Sequence, residues 1–207
     1  MSTVRKRKAG RPVDPAKHDA IIAAATDSFF EIGYAASTIE GIAARAGVSK
    51  VTVYNHFGDK RTLLAAAVGR ECERMRGHFA IEADSGADLR DRLLTIGTAM
   101  VAFLSRPEMI QFERRIAAET EHEPEIGIAF LDNGPRRMKA AFAALLAKAH
   151  AGGELDIPDP ELAAEQFASL CKGMGDLERR FGAIPDPARE QARIAGAVDV
   201  FLRAYSR

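Results

Sequence analysis

The sequence predicts an all-α chain of about nine to ten helices: an N-terminal three-helix, helix-turn-helix unit, then a larger helical body. Three observations carry that expectation. Beyond residue 62 the segments repeat apolar residues at helical spacing, with no strand-like alternation and no internal repeat. The breaks between segments are Gly, Pro and Asp punctuation. Near the front, two very short helical segments flank a Gly turn, which is the size of a helix-turn-helix.

Taken in order, Arg5-Lys6-Arg7-Lys8-Ala9-Gly10-Arg11-Pro12 has no hydrophobic period, so residues 1–13 read as a basic arm, disordered when free. Asp14-Pro15 is a helix entry, with a carboxylate at the N-cap and Pro at the first helical position. Ile22, Ala25, Phe29 and Ile32 follow at helical spacing until Gly33 ends the helix. Ser37-Thr38-Ile39-Glu40 reads as a capping box, opening a helix over 38–46 with a buried stripe of Ile39, Ile42, Ala43 and Ala46. Gly47-Val48 breaks it, and Ser49 caps a second short helix through His56. Gly58-Asp59 ends that helix and caps a fourth, starting at Lys60. Later breaks fall at Asp84-Ser85-Gly86, Arg106-Pro107, Glu123-Pro124, Gly134-Pro135, Gly152-Gly153, Ile157 through Pro160, and Ile184 through Pro187. The last two helices span about 160–182 and 187–205. The domain reading is therefore arm 1–13, helix-turn-helix unit 14–61 and body 62–207.

Composition narrows the class. The chain has 207 residues, 47% hydrophobic and 28% charged, enough for a buried core and far from a disordered profile. Formal net charge is zero. Residues 1–61 nevertheless hold ten Lys or Arg against six Asp or Glu, leaving +4 there and −4 in the remainder. Cys72 and Cys171 form neither a disulfide framework nor a metal motif. No apolar run is long enough to span a bilayer and no signal peptide opens the chain, so no membrane partner is expected and the location expected is cytoplasmic.

The helix over 49–56 has two faces. Val48, Val53 and Phe57 can pack inward against Ile42 and Phe29. Lys50, Thr52, Tyr54, Asn55 and His56 form a polar surface suited to a DNA groove: Asn bonds adenine bidentately, Thr meets thymine methyls, and Lys, Tyr and His reach phosphates or base edges.

Gly33-Tyr34, Thr38, Ile42-Ala43, Ala46-Gly47-Val48-Ser49, Tyr54, His56-Phe57 and Lys60 through Leu63-Leu64 together resemble the signature of TetR-family transcriptional regulators. The resemblance covers residues 14–64 without gaps; from Phe112 to Gly134 a looser one points to the AefR-like branch. It implies a three-helix DNA-binding domain, a helical ligand-binding and dimerisation domain, and a homodimer that leaves its operator when a small molecule binds. It places DNA contacts at Thr38, Ser49, Lys50, Thr52, Tyr54, Asn55, His56 and Lys60. Val51 departs from the Gly or polar residue many members carry, and is read as covering a thymine methyl. Arg11, in the arm, is a candidate minor-groove contact.

In the body no catalytic constellation stands out, so no enzymatic activity and no cofactor is expected. Glu119 through Glu125, with His122 among four Glu, is the densest metal candidate, but Pro124 interrupts it and a solvated helix end is the better reading. Cys171 lies in the apolar stripe of Phe167, Leu170 and Met174 and reads as core; Cys72 beside Glu71 reads as structural. A ligand pocket is expected from Phe79, Met100, Phe103, Phe112, Ile116, Phe130, Met138 and Phe142, joined by Leu93, Ile96 and Ile110, with His78, Arg114 or Arg115 as polar anchors. Dimer contacts are expected at Leu162, Phe167, Leu170, Met174, Ile194, Val198 and Phe201, with Gly173 and Gly175 letting helices approach closely. The expected partners are a palindromic double-stranded operator, a second copy of the chain and an unidentified small apolar or amphipathic inducer. An activator of the same fold, or a ligand carrier or enzyme with a vestigial DNA-binding domain, are the alternatives.

Overall fold

The computed structural model describes residues 14–83 and 88–206, side chains at 77–83 excepted. The basic arm with Arg11, the break at Asp84-Ser85-Gly86, and the side chains of His78 and Phe79 lie outside the described residues. Within them the chain forms ten helices: α1 (Pro15–Ile32), α2 (Ile39–Arg45), α3 (Lys50–Phe57), α4 (Lys60–Ala83), α5 (Leu89–Leu104), α6 (Pro107–Glu119), α7 (Pro124–Asn133), α8 (Pro135–Ala151), α9 (Pro160–Arg180) and α10 (Pro187–Tyr205).

Local chemistry explains where they begin. Asp14, Asp159 and Asp186 each precede a proline at the first helical position, and their carboxylates accept from the backbone N–H of Ala16, Leu162 and Ala188. The second helix opens one residue later than the capping-box reading. Thr38 is its N-cap and accepts from the Gly41 N–H at 3.0 Å. Ser37 is buried and donates instead to the Gly33 carbonyl at 2.6 Å. Glu40 turns outward to Lys50 rather than back to the cap.

Two apolar clusters hold the chain together. The first joins α1–α3 and the front of α4 to α6 and α7, through Ile21, Phe29, Ile42, Val53, Leu63 and Phe112 among others. The second joins α5, α8, α9 and α10 through Leu93, Leu146, Phe167, Ile194, Val198 and Phe201. The first cluster thus crosses the 61/62 boundary drawn from sequence, because α6 and α7 supply part of the interior beneath the three-helix unit.

The second cluster also corrects the interface expectation. Phe167, Ile194, Val198 and Phe201 are 1%, 4%, 0% and 1% exposed and belong to the chain's own core, so they cannot meet a second subunit. Leu162, Leu170 and Met174 remain outside, at 50%, 40% and 63%. Gly175 and Gly173 admit the Arg193 side chain of α10 closely, as expected, since a Cβ at either would lie 2.4 and 2.6 Å from it, and Gly173 does more. With φ 45° and ψ −151° it breaks α9, and Arg193 of α10 fills the break, its Nε donating to the Cys171 carbonyl at 3.1 Å.

Gly33, at φ 88° and ψ 169°, turns the chain out of α1 in a region open to glycine alone. A Cβ there would also lie 3.0 Å from Cδ of Arg115. Gly33→Ala is expected to lower unfolding free energy by about 1–3 kcal/mol, read from the midpoint of chemical denaturation; an unchanged midpoint would show that the turn relaxes freely.

Candidate nucleic-acid interface and cavity

Helix α3 is fixed from below and bare above. Val53 and Phe57 are 1% and 7% exposed and enter the first cluster, while Val51 and Tyr54 stand 65% and 43% exposed on the opposite side with Asn55. The turn before it places Val48 against the same cluster. One face therefore anchors the helix and the other is free to enter a groove.

The remaining candidate residues are already engaged. The Thr38 and Ser49 hydroxyls cap α2 and α3, Ser49 accepting from the Thr52 N–H at 3.1 Å and pairing with the Thr52 hydroxyl at 2.8 Å. Lys50 pairs with Glu40, which raises the lysine's pKa and lowers that of the carboxyl. His56 is half-buried beside Phe57 and His18, and its Nδ1 has no hydrogen-bond partner among the described residues. Lys60 sits at the start of α4 with Nζ 4.3 Å from the centre of the Tyr34 ring, and donates to the Ala35 carbonyl at 3.3 Å. Burial lowers the Lys60 pKa and pushes the Tyr34 hydroxyl up to about 12.

The three-helix unit is fastened to the body through α6. Arg115 donates to the carbonyls of Phe30 and Glu31 at 3.0 and 2.9 Å, satisfying the open C-terminal end of α1. Glu119 accepts from the Ala35 N–H at 2.9 Å. Phe30 of α1 stacks on Phe112 of α6 with ring centres 4.3 Å apart.

A cavity of about 400 Å³ lies between the two apolar clusters. Of the expected lining residues, Met100, Phe103, Phe130, Met138 and Phe142 border it, as does Ile96. Phe112 and Ile116 do not: at 1% and 2% exposed they face α1 in the first cluster. Leu93 is interior to the second cluster, and Ile110 is half-buried but not on the wall. Arg114 and Arg115 are spent on backbone carbonyls, Arg114 on that of Arg179 at 2.6 Å.

The polar wall residues are others, unforeseen because Arg106 and Arg180, which help hold them, lie far along the chain. Glu71 of α4, 7% exposed, is held by Arg74 and Arg106, each at 3.3 Å. Glu113 of α6 pairs with Arg180 of α9 at 3.0 Å, and burial nevertheless raises its pKa. Glu119 and His122 border the turn after α6, and no group of three or more His, Cys, Asp or Glu among the described residues could hold a metal ion.

A core-anchored helix with a bare outer face, carried on a helical body with a cavity between its helices, defines a helix-turn-helix DNA-binding regulator. Comparison with known proteins agrees. Residues 21–67 match the family described as bacterial regulatory proteins, tetR family, and residues 91–207 match the AefR-like transcriptional repressor, C-terminal domain. The HTH-type transcriptional regulator YdeS of Bacillus subtilis is 32% identical over 152 residues, covering 72% of each chain. The HTH-type transcriptional regulator BetI of Stenotrophomonas maltophilia is 33% identical over 121 residues, 49% of this chain and 62% of that one. The solved structure of the flavonoid-responsive regulator FrrA superposes with a TM-score of 0.75 at 29% identity, covering 93% of this chain and 98% of that one. The chain belongs to the TetR family of transcriptional regulators, with an AefR-like C-terminal domain. Among the described residues no single helix is long and apolar enough to cross a membrane.

Burial pushes the thiols of Cys72 and Cys171 up to about 11 and about 12. Because the thiolate is the reactive form, Cys72 on the cavity wall is expected to alkylate at pH 8 on the order of a hundredfold more slowly than an unburied cysteine. Its rate should climb with pH through that high pKa. Mass spectrometry of iodoacetamide-treated native protein checks this, and fast labelling of Cys72 at pH 8 would contradict the burial.

Proposed function

We propose that the chain acts in the cytoplasm as a homodimeric repressor of a palindromic operator, released when a small apolar or amphipathic molecule fills the cavity. One observation carries the proposal: α6 is at once cavity wall, through Met109 and Glu113, and the support of α1, through Arg115. A molecule that repositions α6 therefore acts on the element that orients the DNA-binding unit. The effect is limited to the ligand's difference in affinity for the two arrangements, typically about 1–3 kcal/mol. FrrA is by name flavonoid-responsive, which makes polyphenols a sensible first screen.

DNA contact is assigned to Val51, Tyr54, Asn55 and Lys50, with Thr38, Ser49, Thr52, His56 and Lys60 placing the phosphates. The dimer is assigned to the outer stripe of α9, where Leu162, Leu170, Met174 and Leu177 stand exposed with Val200 of α10. Such a stripe is costly to leave in water, and two reading helices about 34–36 Å apart are what a palindrome requires. No catalytic step is assigned.

Selection of bound sequences from random duplex DNA, at two salt concentrations, tests the reading. It requires a palindrome whose affinity falls steeply with salt. Tyr54→Ala is expected to weaken operator binding by about tenfold or more, and Lys50→Ala to lower the salt slope by about one. Glu40→Gln, by freeing Lys50, should tighten binding at low salt. Leu170→Glu with Met174→Glu should give monomers by light scattering. An operator lying upstream of its promoter, with expression lost on deleting the gene, would make the protein an activator.

A further inference from the structure

We infer that the cavity recognises an uncharged aromatic compound bearing hydroxyl groups, which donate hydrogen bonds to Glu113 of α6 and Glu71 of α4. The inference rests on the reading of the cavity as the ligand site and adds the ligand's chemistry. The apolar part of the wall is rich in rings and thioethers, among them Phe103, Phe130, Phe142, Met100 and Met138. Flat rings edged by polarizable sulfur suit an aromatic body.

Most of the charged part of the wall is already paired from within. Arg136 pairs with Asp132 at 2.6 Å, and Lys139 with Glu161 and Glu165 at 3.4 and 3.7 Å. Arg180 pairs with Glu113 at 3.0 Å and Asp176 at 3.4 Å. Glu71 is held by its two arginines. Lys172 has no ion pair among the described residues, yet its charge is felt by Glu113. A cation entering here must displace one of these partners, and an anion that pairs with Lys172 still shares the cavity with the carboxylates of Glu71 and Glu113. A cation also meets Arg180 and Lys172 on the wall. Displacing a partner strands a charge in a mainly apolar space, which is strongly unfavourable.

A hydroxyl donor avoids that exchange. A carboxylate has about four lone-pair sites, and one or two arginines leave some of them open. The contacts to Glu71 are long for hydrogen bonds, at 3.3 Å each, so this carboxylate is under-used. Glu113, only 15% exposed in its side chain, is under-solvated despite Arg180, as the upward direction of its pKa indicates. Each stands on a different helix, so a ligand with two hydroxyl groups reaches across from α4 to α6.

Four probes of one skeleton test this on the full-length protein by titration calorimetry at pH 7: biphenyl-4,4′-diol, biphenyl, biphenyl-4-carboxylate and 4-phenylbenzylammonium. The diol should bind about tenfold more tightly than the other three, and Glu113→Gln and Glu71→Gln should each cut its affinity by about fivefold. Unfolding temperatures confirm that the variants are folded, and the probe series in the unaltered protein decides the matter if either is not. Tighter binding of the carboxylate or the ammonium would overturn the inference while leaving the cavity as a ligand site. Equal binding of biphenyl and the diol would remove the carboxylates from recognition. Failure of all four would overturn both the inference and the ligand reading beneath it.

Discussion

The hold of Arg115 on the end of α1 is the interaction on which the arrangement depends. A helix C-terminus leaves carbonyls without intrahelical partners and carries partial negative charge. Arg115 supplies the cation and the donors together, bonding the carbonyls of Phe30 and Glu31. Its approach needs Gly33, because any side chain there would meet the arginine's own methylene. The same turn gives Ala35 its contact with Glu119, and Lys60 its place between the Tyr34 ring and the Ala35 carbonyl. The three short helices therefore do not hang from α4 alone. They are seated on α6, and their apolar interior continues into it.

The cavity lies where the two clusters meet, and this decides what filling it can do. Close-packed interiors resist gradual deformation, so a body wedged between two of them shifts one against the other. Phe30 and Glu113 both border the space, the first belonging to α1 and the second to α6. The wall thus contains parts of the joint itself. A ligand of the proposed kind would act on that joint directly, with no long chain of intervening side chains.

Much of this was legible in the sequence, and the illegible parts share one cause. Caps and breaks are local chemistry, so Asp14-Pro15, Ser49 and the Pro-marked starts of α6 to α10 were readable from neighbouring residues. The two faces of α3 followed from 3.6-residue spacing. The capping box misplaced the start of α2 by one residue because Ser37 had a competing acceptor in the Gly33 carbonyl. Spacing also does not say which of several apolar surfaces a helix meets. Phe112 and Ile116 have the same pattern as cavity residues but face α1, and Phe167 and Phe201 have the pattern of an interface but meet one another, with ring centres 5.3 Å apart. The ion pairs Glu71–Arg106 and Glu113–Arg180 join positions 35 and 67 residues apart, which no local pattern reveals.

Three consecutive residues of α6 show how these constraints converge. Neighbours on a helix point about 100° apart, so Glu113, Arg114 and Arg115 address three different surroundings. Glu113 meets the cavity and Arg180, Arg114 bonds the carbonyl of Arg179, and Arg115 holds α1. Met109, Phe112 and Ile116 bury the remaining face. The piece of α9 that α6 touches is the one beyond the break at Gly173, and it also carries the exposed Met174 and Leu177. A thirteen-residue helix is too short to bend appreciably. A rotation that re-aims Glu113 must therefore re-aim Arg114 and Arg115 with it, so cavity, outer face and DNA-binding unit cannot change independently.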